Sequence, residues 1–136
     1  MTKHFFARLK GRNEVPPVET DACGKVKFMF NEDLTKLYYK LTVKHIEKMT
    51  VAHIHLGKEG QNGPVVTFLF GPVNPGISVD KGVVKGVLTK DNLVGPLQGK
   101  TLADLMKEMQ EGNAYVNVHT EQNPQGEIRG QIQEVC

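Results

Sequence analysis

The sequence predicts an all-β protein, an antiparallel β-sandwich or barrel of about eight strands carrying one short helix. Three observations lead there. Short segments alternate apolar and polar residues with a period of two, which turns one face of each segment inward. Clusters of turn-forming residues separate them, as in Gly57-Lys58-Glu59-Gly60-Gln61-Asn62-Gly63-Pro64 and Gly71-Pro72-Val73-Asn74-Pro75-Gly76. A single stretch shows helical spacing instead.

The first strand falls near residues 4–10, with Phe5, Ala7 and Leu9 on one face. Beyond Pro16-Pro17, residues 24–30 set Val26, Phe28 and Phe30 inward against Lys25 and Lys27 outward. Asn31-Glu32-Asp33 reads as a hairpin turn into residues 36–43, where Leu37, Tyr39, Leu41 and Val43 share a face, so these two strands are expected to pair. Another strand covers about 50–56, and the next, 65–70, is apolar on both faces and is expected to be central. Residues 77–88 hold two alternating runs interrupted by Gly82 and Gly86, expected sites of a bulge or bend.

The helix is predicted near 101–111, because Thr101 can cap it, Asp104 stands three residues on, and Leu102, Leu105, Met106 and Met109 recur at helical spacing. That spacing makes the methionines core filler rather than ligands, and Gly112 stops the helix. The last strands, 114–119 and 127–133, flank the turn-rich loop Thr120-Glu121-Gln122-Asn123-Pro124-Gln125-Gly126.

A chain of 136 residues fits one domain, 1–136, able to bury a core without disulfide or metal staples. Its 17 Lys and Arg against 15 Asp and Glu are scattered singly along strands, which argues against a nucleic-acid partner. No apolar run approaches the ~20 residues a membrane-spanning helix needs. The first residues also lack the apolar core of a secretory signal, so as written the chain is expected in the cytoplasm, and outside the cell only if its N-terminus has been trimmed. Cys23 and Cys136 are too few for a disulfide framework. Cys23 reads as a loop or strand thiol and Cys136 as a terminal one, with a cross-link to a second chain as the alternative. The residue pattern leaves oligomeric state undefined.

The chemistry is concentrated in three histidines. His53 and His55 in Val51-Ala52-His53-Ile54-His55-Leu56 leave the same face of an alternating strand, and His119 lies on the face of Tyr115 and Asn117 in another. If the two strands are neighbours, three imidazoles meet within reach of one Zn²⁺ or Cu²⁺. A hairpin closed by the 120–126 loop places His119 opposite Glu127, Asn117 opposite Arg129 and Tyr115 opposite Gln131 on one polar face. Glu127 is then a candidate partner for a ring nitrogen of His119, with Asn117 and Arg129 around the site. Arg129 could instead hold Glu127 or Glu14 in an ion pair. The plainer alternative is that this is the half-solvated outer face of a strand, where polar residues need no ligand. His4 and His45 read as surface residues. A nucleophile-based hydrolase is disfavoured, since Ser78 is the only serine and Cys23 stands in another segment.

Several blocks together resemble a known family. They are Asn13-Glu14-Val15-Pro16-Pro17-Val18 with Gly24, Ala52-His53-Ile54-His55-Leu56-Gly57 with Gly60, Asn62-Gly63-Pro64-Val65-Val66, and Tyr115-Val116-Asn117-Val118-His119-Thr120 with Pro124 and Gly126-Glu127-Ile128-Arg129-Gly130-Gln131. Spanning nearly the whole chain, they resemble the CHRD domain, the module first recognised in chordin and common in bacterial proteins. The resemblance implies an immunoglobulin-like barrel and no particular reaction. The His-x-His strand followed by a distant histidine is also similar to the ligand layout of copper/zinc superoxide dismutase, a Greek-key barrel. This chain lacks the further histidines of a bridged two-metal site.

The sequence thus supports a small binding domain, more than an enzyme, that takes a divalent metal (Zn or Cu) or a small ligand through His53, His55 and His119. The alternatives are a structural or protein-interaction module without metal, and a dismutase-like oxidoreductase.

Overall fold

The computed structural model describes residues 3–135. Alternation produces strands β1 (His4–Lys10), β2 (Cys23–Phe30), β3 (Leu37–Leu56), β4 (Val65–Phe70), β5 (Ile77–Leu88), β6 (Ala114–Thr120), β7 (Ile128–Gln131) and β8 (Gln133–Glu134), with helix α1 (Leu102–Gln110) before β6. All pairings are antiparallel. The order β2-β1-β7-β6-β3 closes on itself through a β2–β3 pairing, while β4 and β5 hang on β3 and β8 on β1. The fold is the expected all-β barrel or sandwich with one short helix.

The main difference from the sequence expectation lies in β3. Where two strands are predicted, one strand of 20 residues runs through both layers. Residues 37–44 pair with β2 on one side and β5 on the other, whereas the C-terminal half pairs with β6 and β4. Between them the register slips at Ile46/Met49, and His45 and Lys48 take φ of 53° and 54°. The slip reverses the phase of the strand. Odd residues Leu37, Leu41 and Val43 are buried in the core before it, and even residues Ala52 and Ile54 after it. That reversal puts His53 and His55 on the outer face of the second layer.

Two smaller expectations are corrected. β4 is not central, for it pairs with β3 alone. Its second apolar face arises because Phe68 lies against the His53 ring, with centroids 4.5 Å apart. No bulge occurs at Gly82 or Gly86, since β5 pairs without a break from Lys81 to Leu88. Gly86 instead makes room for an aromatic ring: a Cβ there would lie 2.5 Å from the Tyr39 hydroxyl. The predicted final strand is divided at Ile132 into β7 and β8.

Helix α1 forms as its capping signals require. Thr101 and Asp104 cap reciprocally, Leu102, Leu105, Met106 and Met109 are buried, and Gly112 follows at φ 72°. Among the described residues no helix is long and apolar enough to cross a membrane. Cys23 is a free thiol in β2, and Cys136 lies outside the described residues.

Candidate metal centre

The β3–β6 ladder aligns His53 with Asn117, His55 with Tyr115, and Val51 with His119, so the three imidazoles share one face of two neighbouring strands. Each offers a ring nitrogen, and these nitrogens lie within 4.8 Å of one another. The face is not half-solvated. Every residue of β6 is buried, and the three histidines are at most 9% exposed. Its cover comes from loops: residues 57–64 supply the Gly63 carbonyl, residues 121–126 the Pro124 carbonyl, and the loop after β1 adds Asn13 and Glu14.

Those carbonyls fix the protons. The ring Nδ1 of His55 faces the Gly63 oxygen at 2.9 Å and that of His119 faces the Pro124 oxygen at 2.8 Å. A carbonyl only accepts, so both Nδ1 atoms carry hydrogen and both Nε2 atoms present lone pairs. The Nε2 of His119 lies 3.2 Å from Nδ1 of His53. Two ligands ~2.0–2.1 Å from a tetrahedral Zn²⁺ stand about 3.3 Å apart, so this separation suits either a hydrogen bond or two nitrogens on one ion. Nε2 of His55 is buried with no hydrogen-bond partner among the described residues. A buried lone pair without a donor is what a cation would satisfy.

The support is a stack. The Tyr115 ring lies parallel to His55, centroids 4.8 Å apart, and the Arg129 guanidinium carbon is 3.5 Å from the Tyr115 centroid. Arg129 donates to Asn62 Oδ1 at 2.8 Å and to the carbonyls of Gln61 and Lys58 at 2.6 and 3.3 Å, pinning the 57–64 loop. Gly63 is held from both sides, because its N–H donates to the Tyr115 hydroxyl while its oxygen accepts from His55. No larger residue fits there, since a Cβ on Gly63 would sit 1.6 Å from the Leu56 oxygen.

The predicted hairpin register holds, with Tyr115 opposite Gln131 and Asn117 opposite Arg129. The predicted role of Glu127 does not. Its carboxylate turns away from His119 and accepts from Thr20 at 2.6 Å, Thr120 at 2.8 Å, Gln122 at 2.9 Å and Asn123 at 3.0 Å. Burial raises the Glu127 pKa, but these four donors outweigh it and hold the group below its ordinary value. Glu127 is therefore a clasp between the β1–β2 and β6–β7 loops. Glu127→Gln is expected to leave metal affinity within about twofold while costing about 2 kcal/mol of stability, the scale of lost hydrogen bonds to a charged acceptor. Denaturant titration beside metal titration of the same variant measures both.

Arg129 forms its hydrogen bonds with the 57–64 loop rather than with Glu127 or Glu14. The carboxylate that adjoins the site is Glu14, whose buried Oε2 has no hydrogen-bond partner by distance and angle among the described residues. A Cβ on Gly126 would fall 2.5 Å from that oxygen and 2.6 Å from Asn117 Nδ2, so Glu14 and Asn117 meet beneath this glycine. Sequence reasoning placed Glu14 only as an ion-pair partner. Its signal was its place in the Asn13-Glu14-Val15-Pro16-Pro17 block.

Titration follows from burial. Desolvation, reinforced by His119 and His55, lowers the His53 pKa to about 4, and desolvation also lowers those of His55 and His119. For His53 the folded form binds fewer protons than the unfolded chain between about 4 and 6.5, so metal-free stability falls as pH drops through that window. Glu14 acts oppositely. Burial raises its pKa from 4.5 to about 7, against Asn117 and Arg129, so its contribution is lost as pH rises through that range. With three imidazoles against one carboxyl, urea midpoints of the metal-free protein are expected to fall more steeply on the acid side. Equal limbs would show the histidines to be solvated.

A closed β-barrel carrying on its outer face a buried group of three histidines that could hold a metal ion defines the class of domain. Comparison with known families matches residues 5–132 to the CHRD domain. The chain belongs to the CHRD domain family. No curated protein matches it.

Proposed function

We propose that this CHRD domain binds one divalent ion, Zn²⁺ or Cu²⁺, through His53, His55 and His119. The observation that carries this reading is the group of three buried histidines whose ring nitrogens lie within 4.8 Å of one another, among them the buried Nε2 of His55. The Gly63 and Pro124 carbonyls orient two of the rings as carbonyls do around metal-bound histidines. A neutral three-imidazole set suits Zn²⁺ or Cu²⁺ and leaves a coordination position for a further ligand. The site is mononuclear: His4 opens β1 and His45 sits at the β3 bend, both exposed, and neither joins the group. Its role is coordination rather than turnover.

The test is elemental analysis of protein purified without an affinity tag, followed by chelation and titration with Zn²⁺ and Cu²⁺. One ion per chain, lost in the His53→Ala/His55→Ala/His119→Ala variant, is the expected result. Uptake by the triple variant equal to that of the parent overturns the reading.

A further inference from the structure

The lysines that look scattered in the sequence are gathered by the fold. On the outer face of β1, β2, the first half of β3, and β5, the registers align residues into four rows across the strands. The first row is His4, Met29, Tyr38 and Val87, and the second is Phe6, Lys27, Lys40 and Lys85. The third is Arg8, Lys25, Thr42 and Val83, and the fourth is Lys10, Cys23, Lys44 and Lys81. Eight of the 17 Lys and Arg stand here, and all 15 Asp and Glu lie elsewhere. The eight cations are exposed, as are Met29 at 42%, Tyr38 at 38%, Val83 at 48% and Val87 at 49%.

Three lysines directly opposite one another on neighbouring strands repel, a destabilising arrangement that folding alone does not call for. An external polyanion would relieve it. Strands ~4.8 Å apart and side chains ~6.8 Å apart along each strand give a face of about 14 by 20 Å. A tyrosine ring extends about as far from the sheet as a lysine stem, so the exposed Tyr38 ring stands level with the neighbouring cations while Val87 is shorter. Met29, Tyr38 and Val87 are each less than half exposed, which gives a bilayer little apolar surface to bury. The turn adjoining the apolar row carries Glu32 and Asp33, which would repel any polyanion there and so favour phosphates along the second row. A strand of alternating phosphates and flat bases fits better, with phosphates on the second row and bases on Tyr38 and its neighbours.

We infer that this face binds single-stranded nucleic acid without sequence preference, independently of the histidine centre. Neutralising about five phosphates gives a slope of about −3.5 in log affinity against log salt, a roughly hundredfold loss between 50 and 200 mM.

The experiment is fluorescence anisotropy of the whole chain with a labelled 20-nucleotide oligothymidine, beside a duplex of the same length and phosphatidylserine vesicles. Lys40→Glu/Lys85→Glu is expected to weaken oligothymidine binding at least about fiftyfold at low salt, since two charges are reversed opposite the phosphates. Tyr38→Ala is expected to weaken it about tenfold through lost stacking. Lys100→Glu/Lys107→Glu, exposed charges near and within α1, changes net charge equally and is expected to have less than a threefold effect. Thermal melts of each variant establish that it folds. Equal losses from the two double variants overturn the inference, as does binding to vesicles or duplex at least as tight as to oligothymidine with Tyr38→Ala silent.

Discussion

His55→Ala and His119→Ala are each expected to lower Zn²⁺ or Cu²⁺ affinity by more than about a hundredfold, exceeding the 10–100-fold typical of losing a partner that merely orients a ligand. The metal-free variants still fold, because the core beneath is the separate apolar set of Ala52, Ile54, Val116 and Val118. Their stability is not untouched. His55→Ala strips a ring from Tyr115 and leaves the Gly63 oxygen without its donor, a cost of about 1–2 kcal/mol. His119→Ala does the same to Pro124. Competition titration against a chelator, beside denaturant midpoints with and without metal, separates the two effects. Unchanged affinity in both variants would remove these residues from any metal site.

Arg129→Ala is expected to cost about 4 kcal/mol, the largest loss from any single side chain in the site, because at least three acceptors lose a charged donor in a dry place. Asn62 and the Gln61 and Lys58 carbonyls are those acceptors, and the residue is only 2% exposed. Without the fork, the 57–64 loop loses its anchor and the Gly63 oxygen no longer orients His55, so metal affinity falls with stability. Arg129→Lys keeps the charge but not the planar donors and is expected to recover less than half of the loss. Full recovery by lysine would show that charge alone matters.

Much of this arrangement was legible before any coordinates. Strict alternation in Tyr115-Val116-Asn117-Val118-His119 sorts the strand into two faces, and one turn-rich loop fixes its register against β7. What alternation cannot show is a change of phase within a strand, such as the slip between Ile46 and Met49 that joins two apparent strands into β3. Nor does it tell which outer faces are solvated, since burial of β6 depends on three loops folding back over it. Glu127 was misassigned because cross-strand position constrains a Cβ, while a two-carbon stem at a strand end lets the carboxylate turn to Thr20 and the 120–123 loop. The lysine rows were invisible for a related reason, as they exist only across strands distant in sequence.

Under the proposed metal-binding role, the order in which the barrel closes bears on which ion the site would acquire. The ring is completed by β7, which follows all but one of the other strands in the chain, and the pocket's cover comes from loops on both sides of β3. A chain still being synthesised therefore exposes histidines as free donors, and free donors follow solution affinity, which favours copper over zinc. Once the Gly63 and Pro124 carbonyls have set the rings, selection passes to geometry and to whatever ion is available at that moment. On that reading the compartment in which folding finishes, more than the ligand set, would decide the occupant.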